Sequence, residues 1–240
     1  MFSLQHKDEF EKVLADYQMS DDAKRLLTEH PIVILTAITA AGRNTIIREL
    51  VKTGRYRFVV SDTTRPPREN NGVMERDGVE YWFRTEEEVL ADLRAGKFVE
   101  AAIIHAQQVS GISVRELEDA QNSGQIPINE IEVQGVDNVL RTVPGSLIPI
   151  FVLPPSYEEW MRRWTARGQI SDQEKLRRME SARKELQAAL DKTYYHFLVN
   201  DDLEKAIKGV DKIAHGEIDP RHESAGRLKA QEILDALNKV

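Results

Sequence analysis

Two arginines spaced three residues apart on a stiff loop are the best-defined chemical feature of this chain. They occur in Ser61-Asp-Thr-Thr-Arg65-Pro-Pro-Arg68, where the proline pair fixes the backbone and excludes helix at the preceding residue. Guanidinium groups at that spacing suit a doubly charged phosphate monoester, because each can bind it bidentately. A phenol follows in Asp77-Gly-Val-Glu-Tyr81-Trp-Phe83 and can donate its O–H to the same anion. The plainer reading is a solvated basic loop, but the length and low redundancy of the pattern weigh against it.

A second anion site is suggested upstream. Pro31-Ile-Val-Ile-Leu-Thr-Ala37-Ile-Thr-Ala40-Ala41-Gly42-Arg43-Asn44-Thr45 reads as a buried strand, a small-residue loop and the start of a helix. A helix N-terminus reached through such a turn offers backbone N–H groups to phosphate. On the cradle pattern G-x-x-x-x-G-K-[ST], Ala37 falls at the first Gly and Gly42 at the second. Arg43 falls at the Lys and Asn44 at the Ser/Thr, so one of these positions matches. Taken alone, the segment could equally be an alanine-rich strand-to-helix turn. A left-handed backbone at Ala37 or Ala40 would cost about 1–2 kcal/mol for its Cβ.

Apolar runs place these loops on an α/β scaffold. Strands are expected at Ile32–Leu35, Arg57–Val60, Ile126–Glu132, Leu147–Leu153 and His196–Val199, alternating with helical stretches, which implies a largely parallel sheet. Glu130 and Glu132 would close the third strand, where such folds hold magnesium directly or through water; the alternative is two surface acids. Capping boxes are expected at Thr85–Glu88, Ser156–Glu159 and Ser171–Glu174, the last two opening helices that turn about Gly168. Those helices carry Arg163, Arg167 and Arg178, either to close over phosphate or, like Arg162, Arg177 and Arg183, simply as a solvated face. Phe10, Val13, Leu14 and Tyr17 fall at helical spacing near the N-terminus, and Ser20 is placed to cap a second helix. Ala230, Ile233, Leu234 and Leu237 line a last helix. Both ends are expected to dock on the chain itself, with a dimer or partner surface as the alternative.

Composition bounds the rest. At 240 residues and 41% hydrophobic content the chain can bury a full core. Its net charge of −7 argues against a nucleic-acid footprint, and no segment reaches the length of a membrane span. With no cysteine, disulfide and thiolate chemistry are excluded, which fits a reducing cytoplasm. No signal peptide, internal repeat or low-complexity tract is evident.

The ordered set of motifs resembles the guanylate kinases. Besides the clamp it includes Gly96-Lys-Phe-Val-Glu100, Asn129-Glu-Ile-Glu-Val-Gln-Gly135, Phe151-Val-Leu-Pro-Pro-Ser156, the arginines above, and Val199-Asn-Asp-Asp-Leu203. The resemblance implies a P-loop nucleoside monophosphate kinase fold spanning residues 31–214, with a GMP-binding sub-domain near 61–121 and a lid near 156–185. Helical extensions would cover 1–30 and 215–240, and the state would be monomer or homodimer. It implies that Ser61, Arg65, Arg68, Tyr81, Glu100, Ser110 and Glu130 receive GMP. ATP would lie on Ala37, Ala40, Ala41, Gly42, Arg43, Asn44, Thr45 and Asn200. Mg²⁺ would lie near Asn44, Thr45 and Glu132. Arg43, Arg163, Arg167 and Arg178 would stabilise the transferring phosphoryl group. Ser110 stands where the family has a second phosphate-binding Tyr, and the segment between Arg68 and Tyr81 is longer than usual. Two functions remain open, an ATP:GMP phosphotransferase and a silent module that binds GMP or a phosphorylated partner. Lid arginines and metal-side acids favour the first.

Overall fold

The run Ile-Val-Ile-Leu-Thr-Ala is apolar on both faces, a pattern stable only in a strand covered on both sides. A computed structural model, which describes residues 3–70, 72–104, 106–166 and 171–239, shows this strand inside a parallel sheet. In chain order the elements are α1 (Lys7–Ala15), α2 (Asp21–Glu29), β1 (Ile32–Ala37), α3 (Arg43–Lys52), β2 (Tyr56–Phe58), β3 (Asp62–Thr63), β4 (Glu69–Asn70), β5 (Val73–Met74), β6 (Trp82–Phe83) and α4 (Glu86–Arg94). Then follow β7 (Phe98–Ile104), β8 (Gln108–Ser113), α5 (Val114–Asn122), β9 (Ile126–Asn129), α6 (Val133–Thr142), β10 (Leu147–Leu153), α7 (Tyr157–Thr165), α8 (Asp172–Leu190), β11 (His196–Val199), α9 (Leu203–Ala214) and α10 (Pro220–Leu237). They form two compact units, one from the described residues of 1–31, 57–127 and 139–146, the other from those of 32–56, 128–138 and 147–240.

The second unit contains β1, β10 and β11 of the five-stranded sheet, whose order is β11-β10-β1-β9-β2. β1 pairs in parallel with β10 on one side and β9 on the other, so the loops after β1 and β9 leave the same end of the sheet. That is the crevice where open α/β sheets bind ligands. α10 packs on β11 and α8 through Ala230, Ile233, Leu234 and Leu237, the residues that the C-terminal periodicity singles out. Arg183 and Arg227 donate to the last carbonyls of α10 and α8, at Leu237 and Leu190, completing those helix ends.

The first unit carries a smaller sheet of order β6-β3-β8-β7, with β3 parallel to β6 and antiparallel to β8. β7 and β8 pair with a bulge between Phe98 and Glu100. Gly111 is obligatory opposite it, since a Cβ there would lie 2.3 Å from the Glu100 carbonyl oxygen. The expected capping box forms, with Thr85 and Glu88 bonding each other's backbone N–H groups. α1 docks Phe10, Val13 and Leu14 on Val89, Leu90, Leu93 and Phe98. Tyr17 goes further: its hydroxyl donates to the Phe98 carbonyl (2.5 Å) and accepts from the Phe98 N–H (2.8 Å), and burial pushes its pKa up to about 12. Ser20 caps α2 by accepting from the Ala23 N–H.

Some expectations change, and the strand expected over 57–60 runs instead over Tyr56–Phe58. The strand expected over 126–132 stops at Asn129, whose side-chain oxygen accepts the Glu130 N–H at 2.5 Å. This local bond competes with the ladder, so Glu130 and Glu132 lie in the turn into α6 rather than on a strand. Ser156 and Ser171 cap α7 and α8, but the boxes are one-sided, because the carboxylates of Glu159 and Glu174 turn to arginines on their own helices. The expected turn at Gly168 lies outside the described residues. No helix among the described residues is long and apolar enough to cross a membrane.

Candidate active site

In the second unit, residues 37–45 line a cavity of about 230 Å³ at the end of β1. Two left-handed residues shape it: Ala40 at φ 67° and Gly42 at φ 100°. The former carries the Cβ strain foreseen for an alanine; the latter is the N-cap of α3, whose first N–H groups face this end of the loop. Gly42 has no room for a side chain, because a Cβ would sit 2.2 Å from the Asn200 amide nitrogen. That nitrogen donates to the Ala41 carbonyl at 2.8 Å, while the Asn200 N–H donates to Leu153 at the end of β10. Asn200, expected among the ATP-binding residues, therefore pins the loop. Trp160, fully buried on α7, adds a second pin by donating its indole N–H to the Thr39 carbonyl at 2.6 Å.

Cations gather around this loop. Arg43 pairs with Glu130 at 2.8 Å and lies 3.4 Å from the Asn44 side-chain oxygen through Nε. Arg163 donates to Glu159 at 2.7 Å and to the Asn200 carbonyl at 3.0 Å, which places it beside the pinned loop. Glu159, shared by Arg162 and Arg163, is held down to about 2. Arg178 is held by Glu174 at 2.7 Å on α8, and Arg167 lies outside the described residues. Glu132 is exposed in the turn after β9. Glu185 on α8 also belongs to this neighbourhood: burial raises its pKa, with the Glu132 charge adding to the effect and the Ser181 hydroxyl and Arg43 opposing it. Among the described residues no three His, Cys, Asp or Glu side chains form a metal cage. The hard oxygens of Asn44, Thr45 and Glu132 nonetheless suit magnesium, which binds through few protein groups and takes the rest from phosphates and water.

The first unit holds the Arg65–Arg68 segment expected to clamp a phosphate. Arg65 is buried, with both terminal nitrogens on the Glu75 carboxylate at 2.5 and 2.9 Å and its plane over Tyr81, 4.8 Å from the ring centre. Donating these hydrogen bonds to Glu75 raises the Arg65 pKa further above the usual guanidinium range. Glu75 also accepts the Arg68 N–H at 2.9 Å, so one carboxylate ties the two ends of the Pro-Pro turn together. Arg68 remains exposed, its guanidinium 3.3 Å from the buried Gln108. Gln108 in turn donates to Ser110, and Ser110 to Thr63 on β3. Ser110 is thus placed beside the clamp by a polar chain. Ser61 precedes β3 and Glu100 lies half-buried on β7, with Ala102 opposite Ser110 in the same sheet.

Sequence reading missed Glu75, Gln108, Trp160 and Glu185. Glu75 lay within a signal already visible, the unusual length between Arg68 and Tyr81; the others belong to no motif.

Comparison with known proteins bears on both units. The guanylate kinase family model matches residues 28–217. Guanylate kinase 1 of Oryza sativa subsp. japonica is 37% identical over 200 residues, covering 82% of this chain and 50% of the rice protein, so the chain spans about half the length of that relative. The guanylate kinase of Bifidobacterium longum is 35% identical over 179 residues, covering 73% of this chain and 88% of its own. That of Corynebacterium diphtheriae is 35% identical over 187 residues, covering 77% and 94%. The crystal structure of guanylate kinase from Anaplasma phagocytophilum shares the fold, with a TM-score of 0.54 at 23% identity over 88% of this chain and 96% of that one. With the family model covering most of its length and about a third of the aligned residues identical in bacterial relatives of similar extent, the chain belongs to the guanylate kinase family.

Proposed function

We propose that this chain transfers the γ-phosphoryl group of ATP to GMP, giving ADP and GDP, with Mg²⁺. The observation that carries the reading is the preserved cradle: despite alanines at two glycine positions, residues 37–45 enclose a cavity at the N-terminus of α3, with Arg43 at its edge. In the other unit, Arg68 and Tyr81 engage the GMP phosphate, and Arg65, braced by Glu75, holds the clamp in shape and adds positive charge. Ser61 and Glu100 read the base. Guanine presents N1–H and N2–H side by side to one carboxylate, whereas adenine would leave that carboxylate badly paired.

A phosphate oxygen of GMP attacks the γ-phosphorus as the bond to the ADP oxygen breaks. Such a transfer needs alignment and charge neutralisation more than covalent help. Arg43, Arg163, Arg167 and Arg178 supply the positive charge, and the loop N–H groups hold the phosphates that stay behind. Mg²⁺, when bound by Asn44, Thr45 and Glu132, neutralises charge on the donor phosphates.

The reading is tested by ADP release from ATP and Mg²⁺ with GMP, dGMP, AMP, UMP and CMP in parallel. Turnover confined to the guanine nucleotides is expected. GMP binding without turnover on any acceptor would replace the enzyme with a binding module.

A further inference from the structure

Arg43 and Glu130 both depart from the residues that the family pattern leads one to expect at their positions, Lys and Asp, and they meet. Arg43 opens α3 and Glu130 follows β9 by one residue, on separate segments, yet Nη2 and Oε2 lie 2.8 Å apart with side chains 25% and 34% exposed. The acid is one methylene longer than Asp, and the cation is a planar fork instead of a point charge, so both the reach and the geometry of the pair differ from a Lys–Asp pair. Its acidic end is anchored, because the Glu130 N–H is held by Asn129, whose strand is in register with Ile34 of β1, the strand that feeds the loop. The ion pair with Glu130 and the hydrogen bond from Nε to Asn44 hold the planar guanidinium at two points.

We propose that Glu130 is a positioning residue for Arg43. It fixes the orientation of the guanidinium at the loop, so that Arg43 can serve where an ammonium would otherwise stand, and the two replacements function as one matched pair. A flexible Lys needs no such orienting partner, since its three donors rotate about the Nζ axis. An unrestrained Arg at this place would reach the donor phosphates in many orientations and lose most of the benefit of its fork. The inference rests on the reading of residues 37–45 as the ATP site.

A double-mutant cycle tests it, with Arg43→Lys, Glu130→Asp and the double variant assayed beside the wild type. ATP binding is titrated calorimetrically without acceptor, and KM is measured for ATP and GMP separately. Each single variant is expected to weaken ATP binding by about tenfold and the double variant by much less than the product, the signature of contacting residues. KM for GMP and the denaturation midpoint should stay near wild type, which separates positioning from a general structural role. Single effects that simply multiply would overturn the inference while leaving the function intact. So would a Glu130→Asp effect confined to KM for GMP, which would make Glu130 an acceptor residue. A wild type that binds no ATP would instead remove the donor reading, and this inference with it.

Discussion

The clamp-bearing unit and the loop-bearing unit hold their cations in opposite ways. In the first, Arg65 is buried against a carboxylate that also fixes the neighbouring backbone, all within eleven residues of chain. In the second, Arg43 stays partly exposed, and the loop beside it is shaped by groups far away in sequence: Asn200 beneath Ala41 and Trp160 against Thr39. A site built from contiguous sequence keeps its chemistry in its own motif. A site assembled from distant segments can lose motif residues and still keep its shape, because the support comes from elsewhere in the fold. The alanines of the loop at residues 37–45 are tolerable on that account.

The largest expected effect tests the first half of the contrast. Glu75→Ala leaves the Arg65 guanidinium buried without its carboxylate, a change that costs about 3–5 kcal/mol when one partner of a buried pair is removed. Denaturant unfolding should register that loss, and GMP affinity should fall with it. Removing both partners, in Arg65→Ala/Glu75→Ala, should be less destabilising than Glu75→Ala alone, since no charge is stranded. Equal losses in the two variants would mean that Glu75 acts only through the Arg68 N–H.

In the loop-bearing unit the corresponding change is Gly42→Ala. The added Cβ takes a left-handed backbone, at about 1–2 kcal/mol, and displaces the Asn200 amide from Ala41, at about another 1–2 kcal/mol. ATP affinity should fall while GMP affinity, read in the other unit, holds. Equal weakening of both ligands would break the separation between the two regions.

The same contrast explains what was legible in the sequence. The clamp could be read because its residues are neighbours in the chain and because Pro-Pro leaves the backbone few options; the strands could be read because β1 and β10 are apolar along their length. The end of β9 could not, since the apolar residues Ile131 and Val133 continue past the point where the Asn129 side chain captures the next N–H. Helical spacing placed Tyr17 in a core but was silent about its hydroxyl, which closes both backbone groups of Phe98. Asn200 was legible as a motif residue, and its task was not, because a bond across 159 residues leaves no local trace.

The smallest effect sharpens the comparison most. Ala40 is buried and left-handed, so Ala40→Gly removes Cβ strain at the expense of a more flexible unfolded chain. The two effects partly cancel, and the net expectation is a gain of about 0.5–1 kcal/mol, seen as a raised denaturation midpoint. If distant supports hold the loop in a shape suited to phosphate against this local strain, ATP affinity should remain unchanged in the relaxed variant. A rise in ATP affinity without a gain in stability would mean that the alanine distorts the cradle itself, and that Asn200 and Trp160 brace the loop without correcting it.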